Sequence, residues 1–352
     1  MRVRLFPVLA VGLLVAGCAG TEYAAKDKAG ERVLTLHVIV GDRAGTPSDE
    51  IAQAFAQRVQ DSSGGAIRVD VSATHQPLPN ADYPARTIRA ARNGAGDVVV
   101  VPSRGWAGNG VTTLLPLELP MLVTSDRALD AVSRDAVSKA MLEGITPAGF
   151  EPLALVPDGL QFAVGFARPL DTLRAFRNAS VRVPSSAGVY AALSALGARP
   201  SYTPGFRAQV LARQGHIAGT IVETARMSNP LIAGTVTANM PFGASTVTLA
   251  LTHKAWKRLG ADQRRLVADA ARAVGIHSAH ERVGVSAASA ETCRFGLGVA
   301  IAGPRLLAAL QMASDHIARS EENTANRAVV ARLRTIASRY APATVRPCRI
   351  HT

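Results

Sequence analysis

Residues 33–40 read VLTLHVIV, residues 67–71 read IRVDV and residues 97–101 read DVVVV. The first and last are short β-branched apolar runs, the pattern of strands buried on both faces, whereas Ile67, Val69 and Val71 alternate with polar neighbours. Between the first two runs, Ser48 stands as a candidate N-cap, Ile51, Ala52, Phe55, Ala56 and Val59 recur at helical spacing, and SSGG at 62–65 supplies a turn. Between the second and third, residues 84–93 fit a helix closed by Gly94. Parallel strands need a crossover, and a right-handed crossover lays its helix on the sheet, so this succession predicts a largely parallel sheet with helices on both faces. Ligands of such sheets gather beyond the carboxyl ends of the strands, here the loops 41–47 and 102–110.

A second cycle starts near residue 150. Residues 152–156 and 161–166 predict strands, 170–176 a short helix, 180–183 a strand, 186–196 a helix ended by Gly197, and 219–224 and 245–251 further strands. Residues 254–283 read as one amphipathic helix with Leu259, Leu266, Val267, Ala270, Ala271 and Val274 on its apolar side; 297–302 reads as a strand and 305–336 as mainly helix. No internal repeat appears, so the fold class is α/β without a solenoid.

The chain has 352 residues, 48% apolar and 18% charged, enough for about two domains with proper cores. A formal charge of +13 raises nucleic acid as a partner, but the only lysines are Lys26, Lys28, Lys139, Lys254 and Lys257, and the arginines are scattered from Arg32 to Arg349. With aromatics at 5% there is no basic, aromatic-interleaved stripe on which bases could stack, and nucleic-acid binding is excluded from the reading.

The N-terminus reads MRVRLFPVLAVGLLVAGC. Arg2 and Arg4 precede an apolar stretch, 5–15, that is too short to span a bilayer and of export-signal length. Cys18 follows Val15, Ala16 and Gly17, a pattern that resembles a bacterial lipobox. Residues 1–17 are therefore expected to be removed, Cys18 to carry lipid, and residues 18–32 to form a polar tether between the cell membrane and an extracytoplasmic body. Cys293 and Cys348 then remain as a pair in a compartment where disulfides persist. A bridge between them would pin the tail, 341–352, and contribute on the order of 4 kcal/mol. The competing reading of Cys293 as a thiol nucleophile has no supporting neighbour.

Catalytic motifs are absent from the sequence: there is no G-x-S-x-G elbow, no H-E-x-x-H helix and no P-loop. Gly296 and Gly298 stand in a strand context rather than a strand-turn-helix one. His277 and His280 with Glu281 have the spacing of two metal ligands but lack a third, and Asp130, Asp135, Glu321 and Glu322 read as helix-surface charges. No metal, cofactor or catalytic residue is expected.

From about residue 34 to about 336 the order of segments resembles the solute-binding proteins of tripartite ATP-independent periplasmic (TRAP) transporters, the family that includes dicarboxylate and sialic-acid binders. The matching stretches are residues 35–40, GGAIRVDV at 64–71, RAARNGAGDVVVV at 89–101, LPLELPMLV at 115–123, DTLRAFRNASVRVPSS at 171–186 and TLALTHKAWKRLGADQRRLVADAA at 248–271. Their collinearity carries the resemblance. It implies a two-lobed, periplasmic-binding-protein-like fold with crossover strands near 156–159 and 245–251. Lobe I would take 33–157 and about 246–285, lobe II 158–245 and about 286–304, with a bracing C-terminal helix over 305–340. It also implies a receptor that closes on a small organic acid in the interlobe cleft and delivers it to a TRAP-type membrane permease.

The resemblance places Arg182 where the family holds the ligand carboxylate. A guanidinium keeps its charge at any working pH and offers a planar fork of donors. Where relatives have a second arginine this chain has Gln161, and where they have a pocket asparagine it has Val222 beside Glu223. A neutral Gln161 can donate without adding charge, and Glu223 favours an ammonium or a hydroxyl on the ligand. SRGW at 103–106 adds Ser103, a second cation in Arg104 and the ring of Trp106 at a strand end, suited to packing on a carbon skeleton. A sensor without a transport role, and an extracytoplasmic hydrolase or isomerase using Glu223 or a histidine, are the alternatives.

Overall fold

The computed structural model describes residues 33–42, 44–73, 82–322 and 326–350; the expected signal segment 1–17, Cys18 and the tether 18–32 lie outside the described residues. The chain opens as β1 (Leu34–Val40), α1 (Pro47–Ser62), β2 (Ile67–Ala73), α2 (Tyr83–Ala90) and β3 (Val98–Pro102). β1 lies between β2 and β3 and is parallel to both. Both faces of β3 are buried, which is why its first four residues are all valine: Val98 and Val100 pack with Phe55 and Val59 of α1, and Val99 and Val101 with Ile88 of α2. α1 begins at Pro47, whose fixed φ suits a first helical turn, so Thr46 holds the cap position and Ser48 is buried one step inside.

After α3 (Asp126–Arg134) and α4 (Ala136–Glu143), each with a side-chain cap from Ser125 and Asp135, comes β4 (Phe150–Gly165). The two strands expected at 152–156 and 161–166 are one. Residues 157–160 separate the two expected strands, but Pro157, like Pro152 within the first, sits at a register shift against the neighbouring strand, where a missing N–H costs no ladder bond. The chain continues through α5 (Leu173–Phe176), β5 (Ser180–Arg182), α6 (Ala187–Ala195), β6 (Arg199–Ser201), α7 (Gly205–Arg213), β7 (Gly219–Glu223) and β8 (Thr235–Thr237). It returns through β9 (Ala244–Thr252), α8 (His253–Arg258), α9 (Ala261–Glu281), α10 (Val285–Arg294), β10 (Gly298–Ala300), α11 (Pro304–Glu322) and α12 (Arg327–Ala337).

The strands follow the order β2-β1-β3-β9-β4-β7-β5-β6, with β8 between β4 and β10. Parallel pairing is kept at the two ends, β1 to β3 and β5 to β7, while β9 runs antiparallel to β3 and β4, so the sheet is mixed rather than largely parallel. β4 joins the ends: its first part pairs with β9 and its last five residues with β7. The fold is α/β and two-lobed, with β4 passing from one end of the sheet to the other.

The single helix expected over 254–283 breaks at Leu259, which is extended, and α9 restarts where the Gln263 side chain accepts from the Gly260 N–H. The C-terminal region likewise forms two described helices rather than one. Leu306 and Leu310 of α11 join the core around β5 and α6, whereas Val330, Leu333 and Ile336 of α12 pack with α3 and α4. Cys293 of α10 and Cys348 are joined by a disulfide with their Cα atoms 6.0 Å apart, and Cys348 exchanges two 2.9 Å backbone hydrogen bonds with Val299 of β10.

Candidate functional site

Val181 and Val183 are fully buried in the core beneath β5, and strand alternation sends Arg182 to the opposite face. Its Nε donates to the Thr203 carbonyl at 3.0 Å and its Nη1 to the Ile221 carbonyl at 3.4 Å, which fixes the guanidinium while leaving other N–H groups for a ligand. Among the described residues no carboxylate lies within ion-pair distance of it. Burial lowers the guanidinium to about 10; nearby Glu223 opposes that shift, and Arg104 and Arg226 add to it. Arg182 stays charged at neutral pH but poorly compensated, so an arriving anion relieves a desolvated cation.

Arg182 faces a cavity of about 420 Å³. Asp42 after β1 and Arg104 after β3 close one side; Thr220 to Glu223 of β7, Arg226 and Arg213 form the other. The loops at the carboxyl ends of β1 and β3 thus reach the site expected of them. Four arginines face two carboxylates, Asp42 and Glu223, leaving a net lining charge of +2.

Glu223 ends β7. Its two oxygens lie 3.8 Å from Arg104 Nη1 and 3.9 Å from Arg226 Nε, so one carboxylate links a turn after β3 to a turn after β7. Burial alone would raise its pKa, but Arg226, Arg104 and Arg182 outweigh it and hold the group below the ordinary carboxylate value. The same pairing raises Arg226. Arg104 Nε is buried without a hydrogen-bond partner.

The remaining expected residues do not line this cavity. Trp106 is fully buried: its indole N–H donates to Thr248 Oγ1 at 2.6 Å and its ring meets Phe150 edge-on at 5.2 Å. The turn is pressed onto α2 at Gly105, where a Cβ would lie 2.6 Å from Pro84 Cβ, and that contact directs the ring into the core. Ser103 is buried too, its Oγ accepting from Thr246 Oγ1 at 2.7 Å. From SRGW only Arg104 reaches the cavity. Gln161 lies directly across from Glu223 in the β4–β7 register but is 2% exposed; its Oε1 has no partner, and it stays behind the cavity wall. Arg226 and Arg213 escaped the sequence reading. Arg226 could have been found from its i,i+3 spacing to Glu223; Arg213, at the end of α7, carried no such signal.

At the crossover, Gly159 adopts φ +117°, and a Cβ there would lie 2.9 Å from Thr224 Oγ1. Thr224 Oγ1 in turn binds both Leu160 N and O at 3.0 Å, and Ser245 Oγ donates to Asp158 Oδ2 at 2.8 Å. Burial, and then the charge of Glu223, push Asp158 up to about 7, against the pull of Ser245 and Arg104.

The profile of bacterial extracellular solute-binding protein family 7 matches residues 40–283. The chain belongs to this family. Solved structures of similar fold include a TRAP periplasmic solute-binding protein from Ralstonia eutropha H16 with bound (S)-2-acetolactate. It has a TM-score of 0.76 and 19% identity, over 87% of this chain and 99% of that one. Another, from Sulfurospirillum deleyianum with bound succinate, has a TM-score of 0.72 and 18% identity over 86% of this chain and 99% of that one. The sugar acid binding protein of Advenella mimigardefordensis, in complex with galactonate, has a TM-score of 0.72 and 14% identity over 87% and 98%. No curated protein gives a significant match. Among the described residues of this family 7 protein, no three His, Cys, Asp or Glu side chains form a group that could hold a metal ion, and no helix is long and apolar enough to cross a membrane.

Proposed function

We propose that this solute-binding protein captures a small organic acid in the Arg182 cavity and presents it to a TRAP-type membrane permease. The observation that carries the reading is Arg182 itself: a half-buried guanidinium, held by two backbone carbonyls, with no carboxylate within ion-pair distance among the described residues, in a cavity of net positive charge. A ligand carboxylate supplies what it lacks. The ligands of the similar structures, acetolactate, succinate and galactonate, are all carboxylates, which supports the same class here. Asp42 and Arg104 approach from the β1–β3 end and Arg182 from the β5–β7 end, so a ligand touching both favours closure about β4, and the permease reads the closed form. The sequence up to Cys18 supports export and a lipid anchor as the way the receptor stays near its permease.

A thermal-shift screen of mono- and dicarboxylates, sugar acids and amino acids tests the reading. At a hundredfold excess over Kd, a true ligand stabilises by about 2.7 kcal/mol. Organic acids should shift the wild type and leave Arg182→Ala unmoved; equal shifts in both would remove Arg182 from the site, and no shift by any acid would end the organic-acid reading.

A further inference from the structure

The three charges opposite Arg182 are paired without touching. Glu223 Oε1 to Arg104 Nη1 is 3.8 Å and Oε2 to Arg226 Nε is 3.9 Å, both beyond hydrogen-bond length. Each separation can be closed by one oxygen placed about 2.7–2.9 Å from both members, provided that oxygen both donates and accepts. A carboxylate only accepts and would set its charge against that of Glu223. An ammonium only donates and would sit beside two guanidinium groups. A hydroxyl does both and carries no charge.

Resting on the reading of the cavity as an organic-acid site, we infer that Glu223 is a specificity-determining residue that, with Arg104 and Arg226, selects a hydroxylated monocarboxylate over an unsubstituted dicarboxylate. The spacing along β7 agrees. Arg182 is fixed to the Ile221 carbonyl, two residues before Glu223, a step of about 7 Å along a strand. A ligand whose carboxylate sits on Arg182 therefore carries its hydroxyl several carbons away, as a sugar acid does. Glu223 is held ionised by its neighbours, so its demand for a donor persists at neutral pH.

Calorimetric titration of the protein with acids matched in length separates the possibilities. Butyrate, succinate and 2,3,4-trihydroxybutanoate form the four-carbon series; hexanoate, adipate and galactonate form the six-carbon one. In at least one series the hydroxylated acid should bind about tenfold or more tighter than both others, the scale of a hydrogen bond to a charged group. Glu223→Gln should cut that preference by letting the dicarboxylate gain. A dicarboxylate that matches or beats the hydroxylated acid at both lengths overturns the inference, with no variant needed, and so does a preference that Glu223→Gln leaves unchanged. In either case acid binding itself, and the reading beneath it, stands. If no acid of either length binds and the wider screen is also blank, the underlying reading fails instead.

Discussion

A guanidinium that is half-buried and already held by backbone carbonyls is a strong but exacting ligand. Arg182 spends donors on Thr203 and Ile221, and those two carbonyls orient the rest of its fork. Lysine at this position would keep the charge but offer a compact ammonium with no planar face, and it could not make both anchoring bonds and a bidentate contact. Arg182→Lys should therefore weaken binding of a carboxylate by about 2 kcal/mol, roughly thirtyfold, in calorimetric titration; an unchanged Kd would mean that charge alone suffices. Arg182 came from the resemblance of residues 171–186 to the family rather than from local pattern; its setting between Val181 and Val183 only agreed with it. Trp106 was misread because its direction depends on how closely Gly105 meets Pro84, a contact 21 residues apart in sequence that no local pattern encodes.

At the scale of elements, β4 joins the two ends of the sheet, and the proposed closure would turn on it. Gly159 has a backbone conformation that side chains avoid, and a Cβ would press on Thr224 Oγ1 while that hydroxyl binds Leu160. Gly159→Ala should cost about 1–3 kcal/mol of stability, read from urea unfolding; a cost near zero would show that the crossover relaxes freely. Beside it, Asp158 carries a folded-state pKa raised to about 7 from its ordinary 3.8, so between those values the folded protein holds a proton that the unfolded chain releases. Its contribution to stability is then full at low pH and is lost as the pH rises through about 7. Asp158→Asn, a neutral mimic of the protonated acid, should flatten the stability profile between pH 5 and pH 8; an unaltered slope would remove Asp158 as its cause.

The elements were unequally legible. β1, α1 and β3 declare themselves because each buries a regular apolar pattern against the others. β4 reads as two strands because Pro157 opens the gap between them, and a bulge set by its partner strand excuses what local rules forbid. α10, VSAASAETCR, was not anticipated at all: its small and polar residues give weak periodicity, and it is buried through Val285, Ala288 and Thr292.

The molecule as a whole is fastened at its C-terminal end. α11 packs with the core around β5 and α12 with α3 and α4, and the disulfide ties the tail to α10. Replacing both Cys293 and Cys348 by serine should cost about 2–5 kcal/mol in unfolding, with ligand affinity unchanged because neither residue lines the cavity; a loss of affinity would show that the tail influences the site. The formal charge of +13 on the full sequence is spread over the chain, but four of its arginines line one cavity against two carboxylates. That local excess, rather than the total, is what an anionic ligand meets.

The central claim is that Arg182 receives the ligand carboxylate between the two ends of the sheet. A crystal structure with the tightest acid of the screen bound tests it most directly. The account predicts the carboxylate within about 3 Å of the Arg182 guanidinium, inside the cavity shared by Arg104 and Glu223. A carboxylate held by Arg104, Arg213 or Arg226 instead, with Arg182 still bound only to Thr203 and Ile221, would contradict it.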